Sequence, residues 1–213
     1  MLRLYLTTLS GDVTFDEEKL PLSAYRVEKL RKVSAPLVRR QMVAAELLLN
    51  RAVRDQYPQC VFPLRIQTGQ KGKPFFPDLP LFFSLSHSGP FVACAIADRE
   101  IGMDLQVRSP MREALVKRCF SGSEQRFVRE SPDGDAAFTE LWCLKESYLK
   151  ATGEGLTRPL ADFSLDLQGP ITLTGSDRVR FWQYKETHFC LAVCSLDGRE
   201  PVPDAIIKEE LRP

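Results

Sequence analysis

Asp104, Glu146 and Lys150 are the residues whose types and settings could do chemistry. Asp104 follows a β-like run in Ile101-Gly102-Met103-Asp104-Leu105-Gln106, where Gly102 lets another backbone approach closely. Alternation along a strand puts Asp104 and Gln106 on one face. Glu146 and Lys150 are spaced i, i+4 in a helical run. Trp142 and Lys145 read as lying on the same side of that helix, with Leu141, Leu144 and Tyr148 covering another. Carboxylates can ligate a cation or accept a proton, and an ammonium can neutralise an anion. Taken alone, however, Glu146 and Lys150 have the ordinary form of a solvated helix pair, and Asp104 that of a strand-end carboxylate.

The phosphate-type signals are equally modest one by one. Gly69-Gln70-Lys71-Gly72-Lys73-Pro74 could offer backbone N–H groups and ammoniums to an anion, and a flexible polar loop has the same composition. It lacks the G-x-x-x-x-G-K-[ST] spacing of a P-loop. His87, in Ser84-Leu85-Ser86-His87-Ser88-Gly89, could donate to a phosphate or act as a base, or be a surface residue of a turn. Ser86 beside it does not make a hydrolase, because no G-x-S-x-G elbow is present. With His87 and His188 the only histidines, the sequence argues against a His-rich zinc site.

The elements that must position these residues read as follows. Leu2 to Leu9 is a strand ending in the turn Ser10-Gly11-Asp12. A helix of about four turns follows Pro36, with Val38, Met42, Ala45, Leu49 and Ala52 as its core stripe and Arg39, Arg40, Arg51 and Arg54 off it. LFFSLSHSG and FVACAIAD form a hairpin-like pair around Ser88-Gly89-Pro90, and Glu100 to Val107 is a third β-rich run. Pro110 opens a helix over MREALVKRCF, and Ser121 precedes Glu124 at capping-box spacing for another. Ala137 to Ala151 is the strongest helix, closed by Gly153 and Gly155, and FSLDL, ITLTG, VRFWQYKE and HFCLAVCSLD read as four strands. HFCLAVCSLD echoes FVACAIAD about a hundred residues earlier, a weak hint of two similar α+β halves. The tail after Pro201 reads as peripheral.

Composition narrows the partners. The 213 residues are 44% hydrophobic and 27% charged, enough apolar material for one large domain or two small ones. Lys and Arg number 29 against 28 Asp and Glu, a net of +1, so no domain-wide basic field exists to hold nucleic acid and any anion site is local. The longest uncharged apolar stretch, Phe91 to Ala97, is far below the ~20 residues that cross a bilayer, and MLRLYLTTLSGD has no long apolar core. A cytoplasmic, monomeric protein without membrane partners is expected. Cys60, Cys94, Cys119, Cys143, Cys190 and Cys194 contain no C-x-x-C pair, and reduced, buried thiols are expected.

Three segments taken together carry a resemblance. GKP (72–74) with FSLSHSG (83–89), IGMD (101–104) and WCLKESYLKATGEGL (142–156) resemble, in order and spacing, the signature of the 4′-phosphopantetheinyl transferases of the surfactin-synthetase-activating type. CFSGSE (119–124) and the basic stretch SAYRVEKLRK (23–32) fit as well, so the resemblance covers roughly residues 20–200. It implies an α+β fold with a pseudo-twofold pair of similar subdomains. The first, 1–103, anchors coenzyme A; the second, 104–213, carries the metal and the catalytic helix. Coenzyme A and Mg²⁺ are expected in the cleft between them.

The reaction it implies moves the 4′-phosphopantetheine arm of coenzyme A to a serine of an acyl or peptidyl carrier protein and releases 3′,5′-ADP. The carrier belongs to fatty acid, polyketide or nonribosomal peptide synthesis. By the same resemblance Asp104, Gln106 and Glu146 hold Mg²⁺ across the pyrophosphate, Lys150 neutralises or protonates the departing phosphate, and Glu146 also takes or orients the serine proton. Lys73, Pro74, Ser86 and His87 match positions around the adenine and phosphates. Lys29 and Arg40 match anchors of the 3′-phosphate, with Arg39 as the alternative to Arg40. Many relatives carry Asp-x-Glu where this chain has Asp104-Leu105-Gln106. An amide oxygen ligates Mg²⁺ directly or through water but contributes no charge.

Two other classes compete with this reading. A non-catalytic carrier- or nucleotide-binding homologue would be expected to have lost part of the Asp104, Glu146, Lys150 set, which is intact. An ATP-using phosphotransferase needs a triphosphate motif, and none is recognisable.

Overall fold

Leu2, Leu4, Tyr5 and Leu6 bury almost completely because β1 (Leu2–Thr8) lies inside a sheet. The computed structural model describes residues 1–11, 13–155 and 158–211; Asp12 of the first turn and Leu156 at the end of the third motif fall outside them. Within those residues the chain divides into two compact units, Met1–Arg99 with Pro203–Pro213, and Glu100–Val202.

In the first unit β4 (Phe82–Ser88) and β5 (Phe91–Ala97) form the expected hairpin, turning at Gly89 with φ +54°. The sheet order is β11-β1-β5-β4, where β11 is Ala205–Lys208. β1 runs antiparallel to β5, with Tyr5 opposite Cys94, and parallel to β11, with Tyr5 opposite Ile207. On this sheet lies α2 (Pro36–Gln56), opened by Pro36 where a missing N–H costs nothing. Ala45, Leu48, Leu49 and Ala52 meet Tyr5, Phe83, Val92, Cys94 and Ile96 in one core.

The stripe read on α2 divides between two cores. Val38 and Met42 pack with Leu22 and Leu30 beneath α1 (Ala24–Leu30), a helix the sequence shows only as a basic stretch. At seven residues it is too short to display a period. Ser23 caps it, and the wholly buried Glu46 of α2 accepts from the Ser23 N–H and from Arg26 Nε. The loop around Gly69 to Lys73 is bracketed by a two-residue pair, β2 (Gln67–Thr68) and β3 (Pro74–Phe75).

The second unit has the strand order β6-β10-β9-β8-β7, from β6 (Ile101–Val107), β7 (Leu165–Asp166), β8 (Thr172–Leu173), β9 (Arg180–Lys185) and β10 (Phe189–Ser195). Its helices are α3 (Glu113–Cys119), α4 (Gly122–Glu130) and α5 (Gly134–Thr152). Ser121 and Glu124 form the expected capping box. Asp133 caps α5, and Gly153 ends it at φ +73°. α5 lies on β6 and β10, sealing Leu141, Leu144 and Ala151 against Cys190, Ala192 and Cys194.

The fold is α+β, and each unit sets one long helix on a mainly antiparallel sheet. The division differs from 1–103 and 104–213. β6 pairs with β10 from Ile101 opposite Ser195 to Val107 opposite Phe189, so the chain passes between units before β6 and not within it. The tail is no appendage, because Ala205 to Lys208 pair with Arg3 to Leu6 of β1. All six cysteines are free thiols; Cys60 is half-buried and the rest are buried. No helix among the described residues is long and apolar enough to cross a membrane.

Candidate active site on β6 and α5

Gly102 brings the helix to the strand. A Cβ there would stand 2.1 Å from both the Ser147 carbonyl oxygen and the Ala151 nitrogen, so only glycine allows α5 to lie this close to β6. Two residues further on, Asp104 is 3% exposed, and the last turn of α5 passes over it. Lys150 Nζ donates to Asp104 Oδ1 at 2.7 Å, and Gln106 Nε2 donates to Asp104 Oδ2 at 2.9 Å. The shared strand face of Asp104 and Gln106 is thus realised as a direct hydrogen bond. Cys143 Sγ secures the strand from behind, 3.2 Å from the Asp104 carbonyl oxygen.

Glu146, one turn before Lys150, is half-buried. Burial pushes its carboxyl above the usual range and the neighbouring Asp104 charge adds to this, while Lys150 partly offsets both. The Asp104 charge is therefore felt at Glu146. Among the described residues there is no cluster of three or more His, Cys, Asp or Glu groups. The available donors are two carboxylates and an amide, all oxygen ligands, which suits a hard cation completing its shell with water and substrate phosphate. The residues fit Mg²⁺ in chemistry, with the Gln106 amide turned to present its oxygen.

Lys145 does not share the Glu146 side of the helix. It is wholly buried, and its Nζ donates to Glu124 Oε1 at 2.9 Å, Oε2 at 2.7 Å and the Phe163 carbonyl at 2.7 Å. The rings of Phe120 and Phe163 lie 5.8 and 4.6 Å from it. Consecutive residues turn 100° about a helix axis, enough to send Lys145 into the core beside Leu144 while Glu146 faces Asp104. Glu124 at the start of α4 was legible as a cap; its second partner, in another helix, was not.

The six coenzyme-anchoring candidates all lie in the first unit. Lys29 is exposed on α1, 5.6 Å from the Tyr25 ring. Arg40 donates to the carbonyls of Gly11 and Val13 at 2.6 and 3.3 Å. Its alternative is committed elsewhere: Arg39 forks onto Glu17 at 3.2 and 2.5 Å and closes α1 through the carbonyls of Leu30 and Val33 at 2.6 and 2.9 Å. Ser86 and His87 are neighbours on β4, opposite Ala93 and Val92, and point to opposite faces of the sheet. Ser86 is buried and His87 half-buried. Gln41, next to Arg40, donates to the Gly89 carbonyl at 2.6 Å and ties the start of α2 to the hairpin turn beyond His87. Lys73 and Pro74 are half-buried at the start of β3.

Residues 100–194, the stretch holding Asp104, Glu146 and Lys150, match the model of the 4′-phosphopantetheinyl transferase superfamily. The chain is 32% identical over 149 residues to 4′-phosphopantetheinyl transferase Sfp of Bacillus subtilis (strain 168), covering 68% of this chain and 66% of that one. It is 31% identical over 156 residues to a second 4′-phosphopantetheinyl transferase of Bacillus subtilis, covering 72% and 70%. A further relative, 4′-phosphopantetheinyl transferase AcpT of Salmonella typhimurium, is 35% identical over 158 residues, covering 70% and 75%. The aligned stretch thus spans about two thirds of these relatives. Among solved structures, a holo-(acyl-carrier-protein) synthase from Bacillus anthracis superposes with TM-score 0.40 at 21% identity, over 47% of this chain and 96% of that one. The chain belongs to the 4′-phosphopantetheinyl transferase superfamily.

Proposed function

We propose that the chain transfers the 4′-phosphopantetheine arm of coenzyme A to a serine hydroxyl of an acyl or peptidyl carrier protein. The observation that carries this reading is the meeting of Asp104, Glu146 and Lys150 in a chain of this family. The serine oxygen forms a bond to the phosphorus nearest the pantetheine, the bond from that phosphorus to the 3′,5′-ADP oxygen breaks, and the electron pair leaves with 3′,5′-ADP.

Glu146 is suited to take the serine proton, directly or through water. Its raised carboxyl is a stronger base than an exposed glutamate. Lys150 is suited to stabilise charge on the departing phosphate, since its side chain is partly exposed and its ammonium lies beside the proposed metal ligand Asp104. Asp104, Glu146 and the Gln106 amide oxygen would hold Mg²⁺, which when bound would screen the pyrophosphate and ease departure of 3′,5′-ADP. Lys29 and Arg40 are the proposed anchors of the 3′-phosphate. Lys73, Pro74, Ser86 and His87 are the proposed contacts of the adenine and the phosphates, with His87 joining Lys29 and Arg40 at the 3′-phosphate. Arg40 is proposed ahead of Arg39, whose guanidinium already serves four acceptors.

The test is intact-mass measurement of apo-carriers from fatty acid, polyketide and nonribosomal peptide systems, each incubated with the protein, Mg²⁺ and coenzyme A. A gain of one phosphopantetheine arm on any carrier supports the reading and names the partner.

A further inference from the structure

We propose that Lys150 and Gln106 hold the metal site closed in the free protein. Lys150 is an internal cation seated on the Asp104 oxygen that a divalent cation would take, and it gives up that seat when coenzyme A offers it a phosphate. The inference rests on the metal and phosphate roles proposed above and concerns how those ligands are admitted.

Both oxygens of Asp104 already accept donors of the chain, Lys150 Nζ at 2.7 Å on Oδ1 and Gln106 Nε2 at 2.9 Å on Oδ2. The carboxylate is nearly sealed from solvent and fixed in a strand paired along its whole length, so it does not move to meet an ion. The donors can move. Lys150 has a side chain 30% exposed on a flexible four-carbon stem in the last turn of α5. Gln106 need only turn its amide to replace a donating NH₂ by an accepting oxygen. A glutamate at 106 could not close Oδ2 in this way, because an ionised carboxylate only accepts.

An ammonium and a divalent cation cannot occupy one carboxylate oxygen without strong repulsion, so metal entry requires Lys150 to leave. Leaving costs the ammonium its short charge-assisted hydrogen bond to Asp104, which an incoming anion can replace. The coenzyme pyrophosphate is such an anion, and it also offers oxygens to the metal. Metal and coenzyme therefore enter together, with a coupling that is reciprocal by linkage.

Calorimetric titration of Mg²⁺ into the full chain, with and without coenzyme A, tests this against Lys150→Met. The variant keeps the length of a half-exposed side chain, and circular dichroism checks its fold; Lys150→Gln serves in its place if it does not fold. Without coenzyme A the variant is expected to bind Mg²⁺ about tenfold tighter than wild type or more, the effect of removing a cation from the same oxygen. The factor by which coenzyme A improves Mg²⁺ binding is expected to be smaller in the variant. Unchanged or weaker Mg²⁺ binding by the free variant, or a coupling factor as large as wild type's, would overturn the proposal. Failure of transfer to every carrier would instead remove the proposed activity and leave the titration of the free protein standing.

Discussion

Lys145 and Glu124 meet with no exposed side-chain surface on either, joining the middle of α5 to the first turn of α4. Glu124 is shared further: one oxygen caps Ser121 N and the other accepts from the Leu165 N–H. The ammonium, its two carboxylate oxygens and the Phe163 carbonyl form a small closed network beneath the residue that follows Lys145, the candidate base Glu146.

Breaking that pair from one side leaves an uncompensated buried charge. Lys145→Ala should cost about 3–5 kcal/mol of stability, the range for loss of one partner of a buried ion pair. The double variant Lys145→Met with Glu124→Gln should recover part of it. Urea denaturation of the three proteins measures the difference.

Gly102→Ala tests the contact that brings Lys150 over Asp104. Its methyl group would strike backbone atoms of α5 at 2.1 Å, and backbone cannot rotate aside as a flexible side chain can. The cost should be about 3 kcal/mol or more. Whatever fraction still folds should lose transfer activity, because the displaced helix carries Glu146 and Lys150 with it.

Glu146→Gln should separate stability from activity. The folded protein holds the Glu146 proton to higher pH than the unfolded chain does, so wild type loses stability as pH rises out of the ordinary carboxylate range and through the raised value. The glutamine variant has no such loss. Its melting temperature should match wild type in acid and exceed it at neutral pH. Melting curves from pH 4 to 8, without metal or coenzyme, show whether the gap opens in that direction.

The placement of these residues was legible in the sequence where it depended on local spacing. Asp104 and Gln106 share a strand face, Glu146 and Lys150 a helix side, and Ser121 and Glu124 a cap, all fixed by periods of two, three or four residues. What depended on distant partners was not legible. Arg39 and Arg40 are adjacent and chemically alike, and only Glu17 and the end of α1 tell them apart. Lys145 reads as lying on the Glu146 side of the helix, and only its partner Glu124, 21 positions away, accounts for its place in the core. β11 offers four residues, Ala-Ile-Ile-Lys, in a Pro-rich tail, and becomes a strand because β1 presents a free edge to it.

Lys29, Arg40 and His87 should matter in proportion to the phosphate they hold. Replacing any one by alanine should weaken coenzyme A binding about tenfold or more, the loss of a charge-assisted hydrogen bond, and barely change dephospho-coenzyme A. Arg39→Ala should instead lower stability by about 1–3 kcal/mol and weaken both ligands alike. Titration of each variant with the two ligands draws the distinction.

Transfer itself is read most directly by intact mass spectrometry of one apo-carrier incubated with Mg²⁺ and coenzyme A, using wild type and Glu146→Gln in parallel. Wild type should add a single phosphopantetheine arm to the carrier serine and release an equal amount of 3′,5′-ADP, with the folded Glu146→Gln protein slower by orders of magnitude. No mass gain on carriers of any of the three pathways, or equal rates from the two proteins, would contradict the roles assigned to Asp104, Glu146 and Lys150.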